Sequence, residues 1–308
     1  MTIQTRDPST SWPQVRLGTR RALWAYGFLL VPLLFFLAIR LAPALSSLYI
    51  SLHEWNIISP AKPYVGFQNF RAIFADPKFA RATVNTVRYV VVGIPLQIAL
   101  GLALAIMLQR ITRLRGLFRA LYFMPFITPI VAAAWVWQWM YSQNFGPLNQ
   151  MLVSLGLPAQ PFLRSPGQAL YAIMAMVVWQ YLGFQIVIFL AGLEAITRVY
   201  YEAAEVDGAA GWRLFRSITV PLLNPTLVFS VVYSTIVYLQ LFTQVLNMTF
   251  QDQGGPLTGT LTLVLYVFQL GFQRFKMGEA AAATAVLFTV ILIITLLQMK
   301  VLSKPVEY

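Results

Sequence analysis

The acidic residues of this chain gather in one place. Glu194, Glu202, Glu205 and Asp207 lie in or just before the stretch EAAEVDGAAGWRLFRSITVPLLNP, Glu202 to Pro225. Glu202 to Val206 has helix-forming composition, Asp207-Gly208 is a turn pair in which glycine tolerates positive φ, and Trp212, Phe215 and Ile218 recur at helical spacing. The spacing predicts two short helices joined by a hinge at Gly208, with Pro221 stopping the second helix or starting the next. Glu202 then offers a carboxylate at the head of a helix, Ala203 and Ala204 permit close approach, and Gly208 gives a turn that a Cβ would strain.

Several chemistries lack their parts. No G-x-x-x-x-G-K-[ST] string occurs, so a P-loop is missing and the chain is expected to be no ATPase of its own. Cysteine is absent, which removes disulfide frameworks, thiolate metal sites and cysteine nucleophiles. The acids lie in loops or at the ends of apolar runs, and the single histidine, His53, sits at an interface. That argues against proton or sodium coupling, against haem ligation and against metal-dependent transfer, all of which need such groups at depth or in clusters. No catalytic, cofactor or metal site is expected.

What remains at membrane depth is uncharged. Tyr181 and Gln185 stand at i and i+4 with Phe184 beside them, while further on Ser234, Tyr238 and Leu241 share one helical face and Gln240, Gln244 and Asn247 another. Rings to stack on a sugar and amides or hydroxyls to bond its hydroxyl groups suit a neutral polyol. The competing role is interhelical joining, which amide side chains commonly perform in membranes. Tyr181, Phe184, Gln185, Ser234, Tyr238 and Leu241 are the expected substrate path, with the Gln244 face packed on a neighbouring helix.

The elements that must hold these groups are membrane spans. Of the 308 residues 58% are hydrophobic and only 10% charged, against about 25% charged in a soluble domain. The net charge of +12 comes from arginines and lysines placed between apolar runs, so topology explains it and nucleic-acid binding does not. An all-α membrane protein of six transmembrane helices is expected, with spans at about 22–51, 83–108, 117–141, 168–193, 221–248 and 277–302. Residues 1–21 and 305–308 form tails, 22–304 the transmembrane domain and 194–220 an internal loop. Phe67, Phe70 and Phe74 mark an amphipathic helix on the outer surface, closed by Asp76-Pro77, and Leu261 to Phe272 is too short to span. Arg110, Arg113, Arg115 and Arg119, with no acid among them, place their loop inside, and both termini with it.

The Glu202 stretch closely resembles the EAA loop of the membrane subunits of binding-protein-dependent ABC importers, whose pattern is E-A-A, three residues, G, nine residues, I, one residue, L-P. The match is Glu202, Ala203, Ala204, Gly208, Ile218 and Pro221, with Val220 in place of the usual leucine. Around it, NTVRYVVVGIPLQIALGLALAIML from Asn85, FRALYFMPFITPIVAAAWVWQWMY from Phe118, FGPLNQ from Phe145 and GGPLTGTLTLVLYVFQLGF from Gly254 look like the carbohydrate-importing branch of these permeases. The resemblance covers about Leu23 to Leu302. It implies a MetI-like permease bundle with cytoplasmic coupling helices in the inner membrane. It also implies a second, non-identical permease subunit, a dimer of cytoplasmic ATPases that bind the ATP and Mg, an external solute-binding protein, and a cargo of sugar, oligosaccharide, polyol or glycerol phosphate. Glu202, Ala203, Ala204, Asp207 and Gly208 would then be the ATPase-coupling residues. An ATP-independent secondary transporter or facilitator is the alternative.

Overall fold

A computed structural model describes residues 18–56, 58–111, 113–249 and 253–302. Most of both expected tails, with Arg6, Arg16 and Lys304, therefore lies outside the described residues. Within those residues the chain is helical, with isolated bridges such as His53 to Tyr64 and no named strand. It divides into two units, Met1–Tyr49 and Ile50–Tyr308. The described part of the first belongs mostly to α1, whose apolar part is Trp24–Ser51 and which carries a π-turn at Leu37–Leu41.

The second unit holds the remaining helices: α2 (Gln68–Ala75), α3 (Pro77–Gln109), α4 (Arg115–Ile127), α5 (Ile130–Met140), α6 (Pro147–Ser154) and α7 (Ala169–Ala195). They are followed by α8 (Arg198–Val206), α9 (Gly211–Leu222), α10 (Asn224–Leu239), α11 (Thr243–Met248), α12 (Leu263–Gln273) and α13 (Met277–Leu302). Four helices, α1, α3, α7 and α13, are long and apolar enough to cross a bilayer by themselves. The pairs α4–α5 and α9–α10 qualify only together, which brings the spans to as many as six.

Both pairs bend inside the spans expected over 117–141 and 221–248. Between α4 and α5 the chain bends by 95°. Thr128 precedes Pro129 and is extended (φ −69°, ψ 135°), the conformation that a following proline ring imposes. Between α9 and α10 the bend is 71°. There Pro225 has no N–H to offer the carbonyl one turn back, so the helix restarts. A further break follows at Gln240 to Phe242, whose backbone leaves the helical region (φ −105° and −139°), so 221–248 is three helical pieces.

One other expectation shifts. The second span starts at Pro77, since Asp76 caps the helix by accepting from the Lys78 amide at 2.8 Å and Pro77 fills its first position. Beside it, Phe67 and Phe74 at α2 are exposed, Phe70 packs against the core, and Asn69 and Ile73 are buried. Asn69 donates to the carbonyls of Ser51 (2.8 Å) and His53 (2.9 Å), a polar anchor for the helix. The short helix α12 buries Leu263, Leu265, Tyr266 and Leu270, and the Tyr266 hydroxyl donates to Asp76 at 2.9 Å.

α7 is the central post. In its apolar window 61% of residues are buried, against 28% in α3 and in α13. Gly183 lets it touch α4: a Cβ there would stand 1.9 Å from the Tyr122 carbonyl oxygen. Gly192 lets it touch α10, where a Cβ would meet Thr226 at 2.4 Å. A separate apolar core at the lower end of α7 joins Ala105 and Leu108 of α3 to Ile186, Phe189, Leu190 and Leu193, with Leu223 at the α9–α10 bend. This core fixes the base on which the acidic loop stands.

Candidate functional site: a capped loop and a polar layer

The loop is two helices and a turn, as its composition predicts. α8 ends in a Schellman cap: the Gly208 amide donates to Glu205 (3.0 Å) and the Ala209 amide to Ala204 (2.8 Å), with Gly208 at φ +77°. Glu202, Ala203, Asp207 and Gly208 are exposed and Ala204 is buried, so Ala204 is an anchor and the others form the surface. Glu202 is not at the helix head. α8 starts four residues earlier, after extended Thr197, so Glu202 projects from the second turn and gains little from the helix dipole. Large apolar side chains flank the turn in the open: Val206 is 88% exposed and Trp212 71%. The composition did not mark Val206, because a valine at the end of a helix reads as core.

The loop is braced. The Tyr201 and Thr219 hydroxyls share a hydrogen bond of 3.3 Å across α8 and α9. Arg115, at the start of α4, is ion-paired to Glu194 at the end of α7. A groove of about 770 Å³ opens between these elements, with Arg110, Arg115, Glu194, Arg198, Glu202 and Glu205 on its walls. Of the four arginines expected to hold the 109–119 stretch inside, Arg115 thus has a specific structural partner.

Deeper in the bundle the polar residues separate into two sets. Tyr181 and Phe184 are half-buried, and Phe184 joins an aromatic ladder: Phe126 to Phe184 at 5.0 Å, Phe184 to Tyr233 at 4.8 Å, Tyr233 to Phe229 at 6.0 Å. Phe126 also meets Tyr181 edge-on at 5.8 Å. Gln185, Ser234, Tyr238 and Leu241 are enclosed. The Tyr238 hydroxyl donates to Gln97 of α3 at 2.8 Å, and its ring fills the space left by Gly93, where a Cβ would come within 2.2 Å of it. Gln244 donates to Gln180 of α7 at 3.2 Å, and Asn247 accepts from the Trp135 indole at 3.2 Å. Gln240 is exposed and shares no face with them, because the break at 240–242 resets the helical phase.

The enclosed set is incompletely bonded. Among the described residues neither amide atom of Gln185 has a protein partner, nor do the hydroxyls of Ser230 and Ser234. A buried polar group without a partner costs about 1–3 kcal/mol, so these positions call for water, a ligand or a second packing. Gln97, Gln180, Phe126, Phe229 and Tyr233 were not singled out by sequence. Gln97 carried a usable signal, as a lone amide inside an apolar run, and Phe229 with Tyr233 at i, i+4 carried another.

Tyr238→Ala is expected to act on stability. It removes a fully buried ring and leaves Gln97 unpartnered, a loss of about 3–5 kcal/mol. The thermal midpoint of the purified protein should fall together with transport, whereas Tyr181→Ala should reduce transport with little change in midpoint. Equal midpoints for Tyr238→Ala and wild type would count against the packing role.

A bent-helix bundle with an exposed, Schellman-capped EAA loop defines a membrane-spanning permease subunit of the ABC importer class. Residues 97–308 match the family described as binding-protein-dependent transport system inner membrane component, and the chain belongs to that family. It is similar to the trehalose/maltose transport system permease protein MalF of Thermococcus litoralis, 32% identical over 286 residues covering 93% of this chain and 96% of that one. It is 36% identical over 260 residues to the lactose transport system permease protein LacF of Rhizobium radiobacter, with 83% and 85% covered. To the sn-glycerol-3-phosphate permease protein UgpA of Agrobacterium fabrum it is 31% identical, with 86% and 90% covered. Its fold superposes on a chain of a bacterial alginate ABC transporter crystallised with an alginate pentasaccharide-bound periplasmic protein, with a TM-score of 0.75, 24% identity and 91% and 94% coverage.

Proposed function

We propose that this chain forms half of the translocation pathway of a carbohydrate or polyol importer, beside a second, non-identical permease subunit in the inner membrane. A dimer of ATPases on the cytoplasmic side receives the turn from Glu202 to Gly208 in a cleft and binds the ATP and Mg. An external solute-binding protein delivers the cargo, both termini face the cytoplasm, and the chain itself catalyses nothing. The observation that carries this reading is the knob itself: a closed turn with exposed carboxylates, Val206 and Trp212, set on the rigid end of α7. Such a mixed apolar and charged projection suits insertion into a partner.

Movement of the knob is transmitted first to α7 and α10, which leave it on either side. The half-buried ladder of Phe126, Phe184 and Tyr233, with Tyr181, supplies ring faces for a saccharide, and the unbonded Gln185 and Ser234 supply hydrogen-bonding capacity when the helices part. The cargo class is supported by the relatives, whose names assign them trehalose and maltose, lactose, or glycerol phosphate.

The test is reconstitution in proteoliposomes with the partner subunits and a panel of labelled sugars and glycerol phosphates. Uptake should require both ATP and the binding protein, and the purified chain alone should release no phosphate from ATP. ATP turnover by the chain alone, or uptake without ATP, would remove this reading in favour of another transporter class.

A further inference from the structure

At the end of the bundle opposite the Gly208 turn, the end of α5, the turn at 161–164 and the end of α11 enclose a hollow of about 380 Å³. Trp135 and Trp139 stand one helical turn apart on its wall and are 60% and 57% exposed. Their neighbours are fixed from behind. The Trp135 indole donates to Asn247 at 3.2 Å, the Gln138 amide nitrogen to the Met248 carbonyl at 3.3 Å, and the Tyr141 hydroxyl to the Ala172 carbonyl at 3.0 Å. These bonds leave the Gln138 amide oxygen, the Gln143 amide and the Arg164 guanidinium without a protein partner among the described residues. Among the described residues no Asp or Glu lines the hollow, and the ion pairs found among them lie elsewhere.

An interfacial aromatic belt accounts for tryptophans at this level, but not for a concave wall of braced rings and amides around an unpaired guanidinium. We infer that this hollow is a binding subsite for an acidic saccharide, one bearing a carboxylate, phosphate or sulfonate. The sugar ring stacks on an exposed indole face, its hydroxyls bond the amides of Gln138 and Gln143, and its acid group takes a charge-assisted bond from Arg164. The subsite is separate from Tyr181 and Phe184, and it narrows the cargo from carbohydrate in general to one with a negative charge. It rests on the reading of the chain as a carbohydrate permease.

An anionic lipid headgroup offers the same acid and hydroxyl groups, so the test separates the two sources. The importer, assembled with its partner subunits in phosphatidylcholine nanodiscs without ATP or binding protein, is titrated with digalacturonate and with neutral galactobiose. Digalacturonate should bind saturably and galactobiose at least about tenfold more weakly, the size of one charge-assisted hydrogen bond. Arg164→Gln, at an exposed position, should erase that difference, and Trp139→Ala should weaken both. Equal binding of the two sugars, saturable binding of neither, or no effect of Arg164→Gln overturns the proposal. Loss of digalacturonate binding when phosphatidylglycerol replaces half the lipid overturns it too, by assigning the hollow to a headgroup. ATP-driven uptake is measured on the same preparation. Uptake that persists without binding removes only the subsite, whereas no uptake of any saccharide removes the carbohydrate reading.

Discussion

Gly208→Val is expected to reduce ATP-driven uptake at least about tenfold while the chain remains in the membrane and assembles. The position has φ +77° and no atom within 4 Å of where a Cβ would stand, so crowding is not the cause. A β-branched residue in the left-handed region costs about 1–2 kcal/mol. The cheapest relief is to leave that region, which breaks the bonds from Gly208 to Glu205 and from Ala209 to Ala204. The end of α8 then frays, and Glu202 and Val206 lose the fixed spacing from Trp212 that a cleft would recognise. Gly208→Asn, which tolerates positive φ, should retain most of the uptake. Uptake and stimulated ATP hydrolysis in proteoliposomes, with assembly checked by co-purification, decide the matter. Normal transport by the valine variant would show that the turn is not the coupling element.

Gly183→Ala is expected to have the larger effect on the fold. The added carbon would lie 1.9 Å from the carbonyl oxygen of Tyr122 and 2.5 Å from its carbonyl carbon, both backbone atoms with no side-chain freedom to yield. α4 must therefore move off α7, and the stack of Phe126 on Phe184 moves with it. Overpacking of this kind costs about 1–3 kcal/mol and sometimes more. Thermal midpoint and yield should both drop, whereas Gly116→Ala, with nothing within 4 Å, should match wild type. A wild-type midpoint for Gly183→Ala would mean that α4 and α7 are not packed this closely.

The Glu202 loop was legible because its determinants are local: a turn pair, alanines and a glycine within a few residues of one another fix the cap. The prolines at 129 and 225 were equally visible, yet an angle of 95° or 71° is set by what the helices pack against, and no local rule gives it. Faces drawn through 221–248 assumed one helical phase, and the break at 240–242 set Gln240 apart from Gln244 and Asn247. Tyr238 looked suited to a ligand, but its partner Gln97 lies 141 residues away, a distance that spacing on one helix cannot bridge. The glycines of α7 read as ordinary small residues in an apolar run until the backbone of α4 was placed beside one of them.

The seats of α7 also carry a timing. Gly101, which would otherwise crowd Gln185, and Tyr122, which rests on Gly183, are synthesised before α7, whereas Thr226 and Leu223, which rest on Gly192, are synthesised after it. When α7 leaves the ribosome, α3 and α4 are already made and can receive its middle turns, around Gly183 and Gln185. The contact at its far end stays vacant until α10 arrives. The Glu202 loop is made in that interval, on a helix whose last seat closes only when the next span arrives.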